Sequence, residues 1–371
     1  MAVLKPSNEA ALSLAIAQAA ADGRKIEIVA GASKHDIGAP TQADRLDLGA
    51  FTGIVDYDPA ELVLTAKAAT PLAEIEALVA ERDQMLAFEP FDTGPMFGRP
   101  AGAATLGGAI AAGVSGSRRL SRGSARDHLL GFRAVSGRGE ILVGGAKVVK
   151  NVTGYDLPKL VTGSWGRIAA LTEISVKVLP RPEVALTLVA EALDPRAAVA
   201  LMAKAMGSQA EVAAAACANG VTALRLEGFG PSVTARRPLL EALGPLRPFT
   251  DDQASTFWST LHNPMPDAPV LLKVLVPSGA AAQLIEMLRP PAWAMDWAGG
   301  LVWLAHDDPA AVRAAAIPLG GHATLWRAPM EVRAAIPALH PQTTAIAALE
   351  ARVRRAFDPA GVFETGRFEA I

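Results

Sequence analysis

Glycine and alanine dominate the stretch 100–116, which reads PAGAATLGGAIAAGVSG and carries no charge. Within it, Thr105-Leu106-Gly107-Gly108 precedes an alanine-rich segment that can begin a helix. A glycine pair at a helix start is expected to leave backbone N–H groups free at the positive end of the helix dipole, where an anion is stabilised. Glycine also lets a ligand approach the backbone closely. We therefore expect the diphosphate of a dinucleotide to bind here.

A second small-residue loop follows a predicted strand. Lys25 to Val29 alternates polar and apolar residues as a strand does, and it leads into the loop Gly31 to His35. Such a loop can present its N–H groups to the same diphosphate, with Ser33 or Lys34 adding side-chain contacts. The alternative is an ordinary polar turn, because the loop matches neither the dinucleotide fingerprint nor the P-loop pattern.

Four arginines lie between Arg118 and Arg126, immediately after the glycine-rich stretch. Beside a diphosphate site, guanidinium groups can neutralise phosphate or bind an acidic substrate. The alternative, for at least some of the four, is a solvated basic loop.

Length and composition restrict the classes of protein to which the chain can belong. Its 371 residues predict two domains, and a formal net charge of −2 without a basic stripe argues against a nucleic-acid partner. The single cysteine, Cys217, excludes a multi-cysteine metal or iron–sulfur site, and its apolar surroundings predict an inert buried thiol. No secretory signal or convincing membrane span is evident. We expect a cytoplasmic protein, with peripheral docking at the inner face of the membrane left open.

The first half of the chain is predicted to alternate short strands and helices. A helix is expected to begin after Ser7 as its N-cap and to end near Gly23. Pro180-Arg181-Pro182 ends an alternating strand and marks a domain boundary at residue 182. Further strands are expected at 25–29, 54–57, 62–66, 85–89, 129–135, 140–143 and 170–180, with a helix at 71–81.

The second half is predicted to form an α+β cap with an antiparallel sheet, because short strands and helices alternate along it. A last helix at 343–357 precedes DPAGVF, a turn expected to return the chain to the first domain. The expected strands are 183–188, 221–227, 270–276, 301–305 and 322–327, and the other helices are 196–206, 235–243, 280–288 and 309–315.

Five motifs occur in an order that resembles a known family. They are the small-residue loop at 31–38, TLGGAIA at 105–111, the Arg126–Asp127 pair before LLG, KNVTGYDL at 150–157 and GSWGRIAALTEISVKVLP at 163–180. This order resembles the FAD-binding domain of the vanillyl-alcohol oxidase or p-cresol methylhydroxylase flavoproteins, and within them the FAD-binding subunits of bacterial glycolate oxidases. The resemblance covers residues 1–182 and returns at 320–327 and 357–367.

The resemblance implies an α+β protein: a two-subdomain FAD-binding domain of the p-cresol methylhydroxylase type at 1–182, and a C-terminal α+β cap domain with a closing helix at 183–371. FAD would lie between the subdomains without a covalent link, because the loop around His35 lacks the pattern of relatives that attach flavin to histidine. The implied cofactor-binding residues are Gly31, Ala32, Ser33, Lys34, His35, Thr105, Leu106, Gly107, Gly108, Gly113, Ser117, Arg126, Asp127, Gly166, Ile168 and Leu171.

Catalytic residues are expected in the cap. Oxidising a 2-hydroxy acid needs a cation for the carboxylate and a base for the hydroxyl proton, while flavin accepts the hydride. His322 and Arg327 are the candidates, but their odd spacing on one strand places them on opposite faces, so only one can face the flavin. The alternative is that His322 caps a turn and Arg327 pairs at the surface.

The histidines do not form the metal motif of related catalytic chains. Relatives of the D-lactate or D-2-hydroxyglutarate type carry a histidine-rich metal motif in the cap. The six histidines of this chain are scattered and lack metal-ligand spacing. We therefore expect no metal site.

These observations leave three functional hypotheses, of which the first two require FAD. The first is an FAD-binding subunit of a glycolate oxidase that acts on a small 2-hydroxy acid together with a homologous catalytic flavoprotein subunit and an iron–sulfur subunit. The second is a stand-alone FAD-dependent alcohol or aldonolactone oxidase. The third is a degenerate paralogue kept for assembly, which the intact glycine loops argue against. The missing metal motif and the lone cysteine favour the first, an FAD-dependent oxidoreductase that needs partner chains.

Overall fold

The computed structural model describes residues 1–146 and 155–368. Its N-terminal layer consists of β1 (Val3–Leu4), α1 (Glu9–Ala21), β2 (Ile26–Val29) and β3 (Asp44–Asp47). The strands form a parallel sheet in the order β1–β3–β2. Leu12 and Ile16 of α1 are fully buried against this sheet, in one cluster with Ile26 and Leu46.

Helix α1 begins one residue later than predicted. Its N-cap is Asn8, whose side-chain oxygen accepts a hydrogen bond from the Ala11 N–H at 2.9 Å. Asn8 has the extended backbone that places this oxygen over the first turn, so Ser7 lies outside the helix.

The second layer is a five-stranded antiparallel sheet with short helices around it. Its elements are β4 (Ile54–Asp58), β5 (Val63–Lys67), α2 (Leu72–Ala80), β6 (Gln84–Met85), α3 (Leu106–Ala112), α4 (Arg119–Arg122), α5 (Ala125–His128), β7 (Leu129–Ser136), β8 (Ile141–Gly145), α6 (Leu157–Val161), β9 (Ala169–Lys177) and β10 (Leu179–Pro180). The sheet order is β4–β5–β9–β7–β8, and β6 pairs separately with β10. The strand predicted at 85–89 is wrong beyond Met85, because the chain turns after β6 and Glu89 takes a φ of +49°. Residues 150–154 of the KNVTGYDL motif lie outside the described residues.

The third layer is an eight-stranded antiparallel sheet built from a repeated βαββαβ unit. The first unit is β11 (Val184–Glu191), α7 (Pro195–Met206), β12 (Ala214–Ala218), β13 (Val221–Gly228), α8 (Gly230–Glu241) and β14 (Arg247–Pro248), followed by α9 (Asp251–Thr260). The second unit is β15 (Leu271–Leu275), α10 (Ala281–Leu288), β16 (Ala292–Asp296), β17 (Leu301–Ala305), α11 (Pro309–Ala316) and β18 (His322–Arg327). The order β14–β11–β13–β12–β16–β17–β15–β18 joins the units through β12 and β16.

The two faces of this sheet have different partners. Helices α7, α8, α10 and α11 cover one face and form a large aliphatic core with it. The other face is rich in tryptophan and packs against the first half of the chain, including Ile37 and Met96. The predicted antiparallel cap sheet is confirmed, and this second face brings cap side chains to the first domain.

The last described segment returns to the N-terminal layer, as DPAGVF predicted. After α12 (Met330–Ala335) and α13 (Thr344–Phe357), Val362 and Phe363 enter the cluster that contains Leu12 and Ile16. The Asp358 carboxylate accepts hydrogen bonds from the Val362 and Phe363 N–H groups, both at 2.8 Å, and so fixes the turn. The division at residue 182 stays a prediction, although β10 ends at Pro180 and the eight-stranded sheet begins at Val184.

Candidate functional site

An open cleft of about 830 Å³ lies where the three-stranded and five-stranded sheets meet; we call it the cofactor cleft. Most of the residues that line it are small or aliphatic, and Glu27, Lys34 and Arg367 are its charged groups. The predicted cofactor-binding residues that line it are Gly31, Ala32, Ser33, Lys34, His35, Thr105, Gly107, Gly108, Gly166 and Leu171.

The loop after β2 supplies the unused hydrogen-bond donors of this cleft. Within residues 1–146 and 155–368, the N–H groups of Gly31, Ala32, Ser33 and Lys34 donate no hydrogen bond. Ala32 has a φ of +53°, a left-handed conformation that, within a run of successive N–H groups, can form a concave anion-binding nest. The loop can therefore bind an anion through main-chain donors.

Lys34 adds a positive charge to this nest. Its side chain is almost fully buried, and its Nζ lies 3.1 Å from Ser33 Oγ with no ion pair in the described part of the chain. Burial lowers the pKa of Lys34 to about 8, although the Asp92 carboxylate favours the charged form. A buried ammonium without a carboxylate partner is costly, so a bound phosphate would relieve that cost.

The start of α3 does not contribute the free donors that the sequence predicted. The Leu106 N–H donates to Thr70 O at 3.0 Å, and the Gly107 N–H donates to Ala68 O at 2.7 Å. The Gly108 N–H donates to the side chain of Thr105, which caps the helix, at 3.2 Å. The prediction of free N–H groups here is wrong, because the 68–70 segment and the N-cap residue Thr105 accept their hydrogen bonds, so the free donors of the cleft lie in the 31–34 loop.

Two of the glycines that line the cleft have protein, not the cleft, on the side where a side chain would stand. A Cβ on Gly31 would lie 1.5 Å from Ala103 O, and one on Gly107 would lie 2.7 Å from Ala68 O. These residues let two pieces of main chain approach each other, which corrects the expectation that they make room for a ligand. Gly108 does border the cleft, since a Cβ there would be 3.7 Å from Lys34 Nζ.

His35 has both ring nitrogens engaged. Nδ1 lies 3.1 Å from the buried Glu27 carboxylate, and Nε2 lies 3.3 Å from the Arg45 guanidinium. Arg45 can only donate, so Nε2 is the acceptor and Nδ1 carries the proton toward Glu27. Neither nitrogen is free to attach a flavin, which supports the predicted non-covalent binding.

Sequence reasoning missed Arg367 as a wall of this cleft. Its Nε donates to Ile37 O at 2.7 Å, a second nitrogen donates to Lys34 O, and a third lies 3.3 Å from Glu27. Arg367 therefore anchors the nest from a position 333 residues further along the chain. The GR pair at 366–367 belongs to the resemblance, but no local pattern links it to the loop.

The other predicted cofactor residues lie outside the cleft. Leu106 and Ile168 are buried in the core of the second layer, and Gly113 ends α3 in a left-handed conformation. Ser117 donates to Asp296 of the cap at 2.8 Å. Asp127 closes a capping box with Ser124, beside Arg126, and both side chains of the predicted Arg126–Asp127 pair are exposed.

The arginine-rich segment instead meets the cap through a buried charge cluster, formed by Glu89, Arg118, Arg225 and Glu227. Arg118 bonds both glutamates, at 2.7 Å to Glu227, and Arg225 bonds Glu89 at 3.0 Å. Burial alone would raise the pKa of Glu227, but the Arg118 and Arg225 guanidinium groups hold it below its usual value. Arg119 lies beside the cluster, 4.5 Å above the Trp297 ring.

A second cavity, which we call the junction cavity, lies between the first half and the cap. It is narrow, and its volume of about 360 Å³ includes open solvent at its mouth. Its polar side chains include His262, Lys273 and Asp296, and its walls include Trp303 and Trp326. Burial raises the pKa of Asp296 to about 7, despite hydrogen bonds from the Trp297 N–H and Ser117, and burial lowers the pKa of Lys273 to about 8.

The two predicted catalytic residues lie at opposite ends of β18. His322 is exposed, and its ring centroid lies 6.2 Å from that of His340. The Arg327 guanidinium donates to the carbonyl oxygens of Ala268, Met96 and Met265. Arg327 therefore ties the cap to the 94–97 turn through three of its five N–H donors, and its catalytic role stays a prediction.

Neither a metal site nor a membrane span is found among the described residues. No group of three or more histidine, cysteine, aspartate or glutamate side chains among them could hold a metal ion. Among the helices of residues 1–146 and 155–368, none is long and apolar enough to cross a membrane.

Comparison with known proteins agrees with this architecture. The FAD binding domain family matches residues 1–145. A solved structure of alkyldihydroxyacetonephosphate synthase matches with a TM-score of 0.65 at 12% identity, over 98% of this chain and 76% of that chain. The fold and the cleft thus define a flavoprotein with a p-cresol methylhydroxylase-type FAD-binding domain, and the predicted fold and cofactor are confirmed.

The sequence relatives narrow this class. The glycolate oxidase subunit GlcE of Escherichia coli K12 is 35% identical over 360 residues, which span 95% of both chains. The glycolate oxidase subunit GlcD of Bacillus subtilis 168 is 42% identical over 86 residues, 23% of this chain and 18% of that protein. The chain belongs to the GlcE family of glycolate oxidase subunits, which confirms the resemblance seen in the sequence.

Proposed function

We propose that this chain is the FAD-binding subunit of an oxidase complex for glycolate or a close 2-hydroxy acid. The observation that carries the proposal is the 35% identity to E. coli GlcE over 95% of both chains. A relation over 95% of both proteins includes the cap as well as the FAD-binding domain. It therefore favours the view that this chain shares the role of E. coli GlcE and not only its cofactor.

The cofactor cleft supports non-covalent binding of FAD. We assign the diphosphate to the nest at 31–34, where four main-chain N–H groups and the Lys34 ammonium have no protein acceptor among the described residues except Ser33 Oγ. Gly166 and Leu171 line the same cleft and fit the less polar parts of the cofactor. When bound, FAD supplies the two-electron acceptor that oxidation of an alcohol requires.

The partner chains belong to the proposal as well. E. coli GlcE and B. subtilis GlcD are both named as glycolate oxidase subunits, and GlcD matches part of this chain. We propose a homologous flavoprotein chain as the catalytic partner, with an iron–sulfur chain receiving the electrons at the inner face of the membrane. The six scattered histidines of this chain support a division of labour in which the partner supplies the metal site.

An anaerobic visible spectrum of the purified chain, recorded before and after addition of glycolate, tests this proposal. We expect a flavin band that stays oxidised until the partner chain is added. Bleaching by glycolate without a partner would favour a stand-alone oxidase. Absence of the band, together with failure to bind added FAD, would contradict the assignment of the cleft.

A further inference from the structure

Helix α13 joins the cap to the closing segment of the chain, and only its C-terminal half is packed. Phe357 packs against the core of the second layer, and Glu350 pairs with Arg167 at 3.1 Å. Residues 341–349, which include the start of the helix, are all exposed. The N-terminal half of α13 is therefore largely solvated on every side.

The apolar stripe of α13 continues past the point where this chain covers it. Ile346, Val353 and Phe357 follow helical spacing and lie on one side, with Leu349 at its edge. Val353 and Phe357 are half-buried, whereas Ile346 is 52% exposed and Leu349 is 54% exposed. The helix thus has two large apolar side chains that no described part of the chain packs against closely.

The first turns of α13 also lack local stabilisation. The N-cap Thr343 makes no side-chain hydrogen bond to the helix, and 344–349 contains no charged residue that could form an ion pair along it. Short solvated helical segments are marginal in water, and helices in proteins are held mainly by packing of their apolar face. A surface that covers Ile346 and Leu349 would supply this packing.

Arginines beside this exposed stripe indicate the charge of the covering surface. Arg138, Arg352 and Arg355 are exposed and form no ion pair among the described residues. A second copy of this chain would bring the same cations, and the one carboxylate of the helix, Glu350, is already paired with Arg167. A surface with unpaired carboxylates is complementary to these arginines, and a second copy does not supply it at this helix.

An anionic membrane would also attract the arginines, but the helix is poorly suited to lipid. Helices that lie in a membrane surface carry large apolar residues on the face that enters it. The exposed side of α13 instead has Ala345, Ala348 and Ala356 around Leu349. Small side chains allow another protein element to approach closely, because the distance between packed helices depends on the residues at the contact.

We propose that the N-terminal half of α13 is a docking element for another protein chain, which binds Ile346 and Leu349 in an apolar groove edged by carboxylates that pair with Arg352 and Arg355. The inference rests on the proposed function, because it takes this partner to be the homologous flavoprotein chain. Arg167, which holds Glu350, directly follows Gly166 of the cofactor cleft, so the partner would bind close to that cleft.

Surface plasmon resonance tests the docking, with the homologous flavoprotein chain of the same organism immobilised and the FAD-loaded chain in solution. The double variant Ile346→Gln with Leu349→Gln should lose about tenfold or more in affinity, because it removes both apolar anchors. Glutamine is a good helix former and both positions are exposed, so the free chain should keep its stability in urea. Met287→Gln, at a residue of α10 that is also 52% exposed, is the matched control and should bind as wild type does.

Two further measurements separate the anchors from the charges. Arg352→Gln with Arg355→Gln should slow association by about threefold at low salt and reduce its salt dependence, as expected for charges at the rim of an interface. Hydrogen exchange of residues 341–349 should be fast in the free chain and slower in the complex, because docking packs the solvated turns.

Wild-type affinity in the Ile346→Gln and Leu349→Gln variant, or unchanged exchange of 341–349 in the complex, would overturn the inference. Self-association of the wild-type chain that the variant abolishes, or such binding to phosphatidylglycerol vesicles, would overturn it in favour of a second copy or a membrane. Failure of the wild-type chain to bind the flavoprotein chain at all would contradict the proposed function and, with it, the inference. The failures are distinguishable, because only the first leaves a wild-type complex intact.

Discussion

The cofactor cleft and the junction cavity hold polar groups in opposite ways. In the cleft the donors are main-chain N–H groups of one short loop, supplemented by a single buried lysine. In and around the junction cavity the polar groups are side chains, contributed by six separate segments of the chain that meet only when the cap closes on the first domain. Main-chain donors are fixed by backbone conformation, whereas buried side-chain charges depend on one another for compensation. A change that disturbs the backbone should therefore destabilise the cleft most. A change that removes a charge should destabilise the junction most.

Gly31→Ala should have the largest effect on stability, because its new Cβ would clash with the backbone beside the cleft. The new Cβ would lie 1.5 Å from Ala103 O, and main chain cannot give way by that distance locally. We expect a loss of about 4 kcal/mol or more in the free energy of unfolding, measured by urea denaturation. Gly108→Ala is the matched control. Its Cβ meets Thr105 Oγ1 at 3.2 Å, and stability should change by less than about 1 kcal/mol.

Glu227→Gln should damage the junction without touching the cleft. The Glu227 side chain is fully buried, and its loss leaves Arg118 and Arg225 to share Glu89 alone. We expect a destabilisation of about 3–5 kcal/mol in urea, as for other buried pairs that lose one partner, with unchanged FAD content in the folded fraction. Glu241→Gln, which breaks an exposed pair with Arg237, should cost less than about 1 kcal/mol. Equal effects of the two changes would show that the cluster is not buried in solution.

The pH dependence of the free energy of unfolding should reveal the raised pKa of Asp296. Its pKa is about 7 when folded, against an ordinary value of 3.8, so the folded state keeps a proton that the unfolded chain loses between these values. The stability linked to this proton is fully present below pH 3.8 and is lost as the pH rises through 7, by at most about 4 kcal/mol. Wild type should therefore lose more stability than Asp296→Asn between pH 4 and 7. Parallel curves for the two proteins would contradict the raised pKa.

Lys34→Met should have the smallest effect on folding and a selective effect on the cofactor. Removing a buried ammonium without a carboxylate partner should leave the FAD-free chain as stable as wild type or more so. Loss of one charge-assisted bond to phosphate should weaken FAD binding by about 10–100-fold, or roughly 1.5–3 kcal/mol. Fluorescence titration with FAD measures this, and Lys5→Met, at an exposed lysine of the same layer, is the control. An unchanged affinity for FAD would contradict the assignment of the diphosphate to the nest.

The cleft could be read from the sequence because its parts are local. The strand at 25–29 and the loop at 31–35 are adjacent, and their order relative to TLGGAIA at 105–111 is itself the family's signature. The sequence could not predict whether each glycine has the cleft or other protein atoms on the side where a side chain would stand. The sequence does not show that Ala103 and Ala68 lie behind Gly31 and Gly107, since that depends on how the layers pack.

The junction was missed for the opposite reason. Lys273 and Asp296 each occur singly in apolar strands, and their meeting with Ser117 depends on a separation of more than 150 residues along the chain. Strands β12 and β16 were also missed. The all-small sequence of β12, AAACA, has no alternation because both of its faces are buried. A strand without a polar face gives no periodic signal.

The anchoring of the nest by Arg367 also sets an order of events during biosynthesis. Domains form from the N-terminus as the ribosome releases the chain, so the first two layers can assemble while the cap is still being translated. The guanidinium that bonds Lys34 O and Ile37 O, however, belongs to Arg367, which follows the cap in the sequence and is synthesised 333 residues after Lys34. A nascent chain can therefore form the loop before it has the residue that completes the wall, so the cleft is completed only after the cap has been synthesised.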